Sequence, residues 1–183
     1  MDIWSIFLDN PGQEFHVREV ARLTKKSPTT VSNKLKKFKK ESLLTSKKER
    51  NHLLYKANTE NKSYRDLKFF YNLKNIRTSG LIDYLNEYYN YPSAIILFGS
   101  FRKADNISSS DIDLCVITSK KEEPKLDKFE KKLKHKIQLF NFSKKEFIKQ
   151  NPQLMNNIIN GFVLEGFLEV FEWTLKVLSS KGK

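Results

Sequence analysis

The chain has 183 residues, 39% of them hydrophobic, with 14 Phe and 7 Tyr, which suits one medium domain or two small ones and excludes a disordered chain. Its formal net charge is +13, concentrated towards the N-terminus: residues 1–75 hold 17 Lys/Arg against 8 Asp/Glu, and residues 76–183 hold 17 against 13. One cysteine, Cys115, excludes an internal disulfide framework and a cysteine-based zinc site and fits a cytoplasmic location. No apolar run approaches the ~20 residues that span a bilayer, so no membrane segment is expected.

The opening MDIWSIFLDN has no basic region before its apolar stretch and reads as no signal peptide. Ile3, Trp4, Phe7 and Leu8 recur at helical spacing, and Asn10-Pro11-Gly12 ends that helix. A second helix is expected from His16 to Leu23. Thr24-Lys25-Lys26 then turns the chain, Ser27 is an N-cap candidate and Pro28 suits the first helical position. Val31, Leu35 and Phe38 mark one buried stripe. The opposite face carries Thr29, Thr30, Asn33, Lys34, Lys36 and Lys37, with Lys39 and Lys40 beyond. Helix, short turn and helix with a basic outer face describe a helix-turn-helix. Leu43–Thr45 and Leu53–Tyr55 read as two strands joined by the charged turn Lys47-Lys48-Glu49-Arg50-Asn51.

On these residues, in HVREVARLTKKSPTTVSNKLKKFKKESLLT above all, the first ~58 residues resemble the winged-helix transcription regulators of prokaryotes. The resemblance implies double-stranded DNA as partner, and dimers are common in that family. The candidate DNA-binding residues are Ser27, Thr29, Thr30, Asn33, Lys34, Lys37 and Arg50: Thr29, Thr30 and Asn33 suit base edges, Lys34 and Lys37 suit phosphates, and Arg50 suits a minor groove. The basic surplus attracts phosphate backbones, although a solvated lysine-rich face has the same composition.

Residues 59–90 read as helical, with Thr78-Ser79-Gly80 dividing them. The domain boundary is expected near 75, giving a DNA-binding domain over 1–75 and a second domain over 76–183. The most informative segment follows. Ala94–Phe98 is a continuous apolar run, the mark of a buried strand, and it ends in Gly99-Ser100. Glycine lets backbone approach a ligand, and exposed amides with a hydroxyl hold phosphate. Ten residues further on, Asp111 and Asp113 stand two apart on a second expected strand, Asp111-Ile112-Asp113-Leu114-Cys115-Val116-Ile117. A strand of period two aims both carboxylates to one face, where a divalent cation resolves their repulsion.

Gly-Ser, ten residues, then Asp-x-Asp resembles the nucleotidyltransferase superfamily that includes DNA polymerase beta, in its minimal prokaryotic branch. The resemblance implies an α/β domain with a short mixed sheet flanked by helices. It implies Mg2+ held by Asp111 and Asp113 as metal ligands and catalytic carboxylates, and a nucleoside triphosphate such as ATP held by Gly99 and Ser100. Arg102 and Lys103 add positive charge. Two departures stand out: Ala104 where that family often has glycine, and Gln138 on the strand expected at Lys136–Phe142, where it usually has a third carboxylate. Glutamine is no base at neutral pH. The resemblance therefore admits three functions. These are a DNA-associated nucleotidyltransferase, a transcription regulator whose second domain only binds nucleotide, and an antitoxin-type partner of a HEPN-type toxin.

The remaining features have plainer readings. Cys115 reads as a small core residue. His16, His52 and His135 are far apart in sequence and suggest no metal site. Leu154, Ile158, Ile159, Phe162, Leu164, Phe167, Leu168 and Phe171 read as one helical apolar face, with Gly161 and Gly166 permitting close helix packing. IINGFVLEGFLEV also resembles the C-terminal helix of winged-helix fusions in this branch.

Overall fold

The computed structural model describes residues 2–49 and 52–169, and the chain divides into two compact units, Met1–Tyr71 and Asn72–Lys183. Among the described residues no helix is long and apolar enough to cross a membrane.

The N-terminal unit runs α1 (Ile3–Asp9), β1 (Phe15–His16), α2 (Val17–Thr24), α3 (Pro28–Lys40), β2 (Leu44–Glu49), β3 (His52–Ala57) and the first part of α4 (Lys62–Ser79). Its strands form an antiparallel sheet in the order β1-β3-β2. Lys25, in the left-handed region at φ 55°, caps the C-terminus of α2. The Ser27 hydroxyl accepts the Thr30 amide at 3.1 Å and Pro28 occupies the first turn, which starts α3 where the sequence places it. Ile6, Phe7, Val20, Val31, Leu35, Leu44 and Tyr55 fill the core.

Two polar side chains from α4 reach into that core. Tyr64 donates its hydroxyl to the Phe7 carbonyl at 3.0 Å, and Lys68, 1% exposed, donates Nζ to the Leu8 carbonyl at 2.9 Å. Both satisfy carbonyls in the last turn of α1 that have no helical partner, and a cation suits the negative end of the helix dipole.

The charged turn expected at residues 47–51 is shorter than its composition suggests. Lys47, Lys48 and Glu49 belong to β2, paired with Leu54, Leu53 and His52. Their charges are carried on exposed strand positions, with Lys47 paired to Glu14 at 2.8 Å. The two-residue strand β1 carries no sequence signal of its own and forms because β3 offers Tyr55 and Leu54 as partners.

The C-terminal unit runs α5 (Leu81–Tyr88), β4 (Ala94–Phe98), α6 (Gly99–Lys103), β5 (Ile112–Ile117), α7 (Asp127–Leu133), β6 (Ile137–Phe142), α8 (Lys144–Phe147), α9 (Pro152–Ile159) and β7 (Phe162–Gly166). The four-stranded mixed sheet has the order β6-β5-β4-β7, with β5 and β6 parallel and the other pairs antiparallel. All five residues of β4 are buried, as a strand covered on both faces requires. Gly80, at φ 82°, separates α4 from α5.

The apolar stretch from Leu154 onward is not one helix. α9 stops at Ile159, and Phe162–Gly166 pairs with β4 as an edge strand. The physical reason lies in the partner: without β7, Ala94–Leu97 would present an open edge whose backbone groups need bonds. Gly161 allows the turn. A Cβ there would lie 2.8 Å from the carbonyl oxygens of both Ile158 and Leu97. Gly161 and Gly166 thus serve a helix-to-strand junction and a strand end, not helix packing. Phe171 lies outside the described residues.

Candidate active site

The Gly-Ser and Asp-x-Asp segments meet at the end of β4. Phe98 is the register partner of Asp113 in the antiparallel β4–β5 pair. The next residue, Gly99, turns the chain at φ 67°. A Cβ added to Gly99 would lie 2.8 Å from Asp113 Cγ and would collide with Asp113 Oδ2. The carboxylate therefore fills the space that a side chain at 99 would take.

Asp113 is half-buried on β5, and Asp111 is exposed just before that strand begins. Burial, and then the nearby charge of Asp111, push the Asp113 carboxyl above its ordinary value. Two acids near one another, one with a raised pKa, make an anionic spot that favours a cation. Among the described residues no group of three or more His, Cys, Asp or Glu side chains assembles as a metal set. Two carboxylates still fit Mg2+, which keeps several waters and completes its shell from substrate phosphates. Gln138, exposed on β6, pairs in register with Asp113, so an amide stands where the resemblance expects a third acid.

The loop between the two motifs is held from below. Asn72 Nδ2 donates to the Phe101 carbonyl at 3.1 Å and to Asn106 Oδ1 at 2.8 Å, all within the buried interior. Ala104 closes α6 at φ 60°, which explains why a glycine suits this position. The His135 ring packs edge-on against Phe101 and its Nδ1 lies 2.7 Å from the Ser110 carbonyl, while the Ile112 amide donates to the Lys136 carbonyl at 2.8 Å. These bonds fix the chain on both sides of Asp111.

Residues 80–164 match the polymerase beta nucleotidyltransferase family model. The match supports the nucleotidyltransferase superfamily for this part of the chain and nucleotidyl transfer as its general chemistry. No curated protein matches the chain, and no solved structure does.

Within the C-terminal unit, a cleft of ≈ 430 Å³ is lined by Gly99, Arg102, Lys103, Asn156, Asn157 and Asn160. Arg102 is partly buried and Lys103 is exposed. Sequence reasoning missed the three asparagines, because they lie in a segment with no motif and only the fold brings them to Gly99. Cys115 is fully buried and its thiol is pushed up to about 12 by burial, so it is a core residue and no nucleophile.

In the N-terminal unit, Thr29, Thr30, Asn33, Lys34, Lys36, Lys37, Lys39 and Lys40 are all exposed on α3, while Val31 and Leu35 are fully buried. Ser27 and Thr30 hydroxyls bond each other at 2.8 Å, and Lys37 is paired to Glu41 at 3.8 Å. Arg50 lies outside the described residues. The histidines depart from their sequence separation: β1 and β3 bring the rings of His16 and His52 to 5.0 Å between centroids. His16 Nδ1 accepts the Arg18 amide at 3.2 Å and caps α2, which gives that ring a structural role.

Proposed function

We propose that the chain is a DNA-associated nucleotidyltransferase that moves a nucleoside monophosphate from a nucleoside triphosphate, ATP in the first instance, to an acceptor hydroxyl. The observation that carries this reading is the close approach of Gly99 to Asp113, with the charge of Asp111 nearby: a glycine turn and two acids at one strand end. Asp111 and Asp113 are the residues to hold Mg2+, which when bound neutralises the triphosphate and lowers the pKa of an attacking hydroxyl. Gly99 and Ser100 cradle the phosphates, and Arg102 and Lys103 supply positive charge. The acceptor oxygen bonds to the α-phosphorus, the bond to the bridging oxygen breaks, and pyrophosphate leaves with that electron pair. The hydroxyl proton passes to water.

The N-terminal unit, with α3 as its recognition helix and β2–β3 as its wing, is proposed to bind double-stranded DNA. Its support is an exposed α3 face with five lysines and no acid within the helix. A second reading rests on the Asp113–Gln138 pairing: with an amide in place of an acid, the site binds Mg–nucleotide without turnover and the chain is a nucleotide-sensing regulator. Incubation with Mg2+ and α-labelled NTP separates the two. Pyrophosphate release with label on an acceptor supports the transferase, and Mg-dependent binding without release supports the sensor. Absence of both binding and release overturns the reading.

A further inference from the structure

We infer that Asn156, Asn157 and Asn160, at the C-terminal end of α9, contact the nucleobase, with adenine the best match, while Gly99, Arg102 and Lys103 of the same cleft contact phosphate; this rests on the nucleotide-binding reading above. The cleft lining is split by chemistry. Gly99, Arg102 and Lys103, from α6, suit an anion, and Asn156, Asn157 and Asn160, from the end of α9, bring three carboxamides. Among the described residues no carboxylate lines it.

The carboxamide wall is placed by packing. Ile158 is fully buried against the sheet, in one core cluster with Ile96 and Phe98, and Gly161 lies too close to Ile96 and Leu97 for any side chain. Asn156 and Asn157, the exposed residues just before Ile158, are thereby held beside the end of β4, where Gly99 follows. Asn160 Nδ2 donates to the Asn156 carbonyl at 2.8 Å, which orients its amide on α9 with the acceptor Oδ1 not used in that bond. A carboxamide presents a donor and an acceptor side by side, the pattern complementary to adenine N7 and N6. Phosphate has only acceptors and would be served better by lysine or arginine. Three neutral amides and two cations lining one cleft therefore fit a ligand with a charged end and a hydrogen-bonding end.

The test compares Mg–ATP with Mg–tripolyphosphate by calorimetric titration of the full chain. The wild type is expected to bind ATP about tenfold or more tightly than tripolyphosphate, the size of one good amide–base pair. Asn156→Leu and Asn157→Leu should each abolish most of that difference while leaving tripolyphosphate affinity within about twofold. Asn157→Gln keeps the carboxamide and should recover part of the ATP preference. Equal wild-type affinities, or substitutions that weaken both ligands together or neither, overturn the assignment while the phosphate site stands. If the wild type binds neither ligand, the nucleotide-binding reading itself fails.

Discussion

Asp113 faces Gln138 across the parallel pairing of β5 with β6, so the acid and the amide project from one face of the sheet. A carboxamide oxygen still ligates a hard cation, but it brings no charge and takes no proton. Gln138→Asp should therefore tighten Mg2+ binding about tenfold, through the extra ligand charge, and should raise pyrophosphate release if a third acid is what limits turnover. Titration of Mg2+ in the presence of a non-hydrolysable NTP, alongside the release assay, reads both. Unchanged affinity would mean that position 138 does not face the cation.

The Asp113 carboxyl titrates above its ordinary value of 3.8 because burial and the Asp111 charge oppose ionisation. The folded state then holds the proton to higher pH than the unfolded chain. Metal-free stability is expected to fall as pH rises from below 3.8 through the raised folded value, and the full penalty is present at neutral pH. Asp113→Asn removes it. Its melting temperature should exceed that of the wild type at pH 7 without Mg2+, with the difference vanishing at pH 3. Added Mg2+ with NTP should stabilise the wild type and leave the variant unmoved.

Much of this site is legible in the sequence because its signals are local. Ala94–Phe98 is followed by Gly99-Ser100 and the Asp-x-Asp spacing stands ten residues on, and both motifs adjoin strands whose apolar runs announce them. Ser27-Pro28 announces α3 in the same way. What stays hidden depends on partners distant in sequence. Phe162–Leu164 continues the apolar pattern of α9 and becomes strand only because β4 offers an edge. His16 and His52 meet because β1 pairs with β3, and the asparagines at the end of α9 reach the cleft because Ile158 and Gly161 dock on the sheet.

Lys34 and Lys37 are exposed on the proposed recognition face. Reversing both charges should abolish a gel shift on duplex DNA. Changing each to Ala should lower the slope of log affinity against log salt by about 0.9 for every phosphate no longer neutralised. Pyrophosphate release should be unaffected. Intact DNA binding in the charge-reversed variant would place the DNA face elsewhere.

Ala104 is held at φ 60°, 5% exposed, at the end of α6. A Cβ in the left-handed region costs about 1–2 kcal/mol, offset in part by the greater unfolded-state freedom of glycine, which is worth about 0.4–1 kcal/mol. Ala104→Gly should accordingly raise unfolding free energy by about 0.5–1 kcal/mol in urea titration. A loss of stability would show that the Ala104 methyl contributes more to packing than its backbone costs.

The position of β4 has a consequence for how the chain matures. One flank of this strand is closed by residues 112–117 and the other by 162–166, whereas the N-terminal unit ends at Tyr71. On a ribosome adding about 5–20 residues per second, roughly 5–20 s separate the synthesis of residue 71 from that of residue 166. The basic unit thus has its whole sequence in hand while β4 still lacks an edge partner, and for that interval Ala94–Leu97 exposes backbone groups to any competing strand.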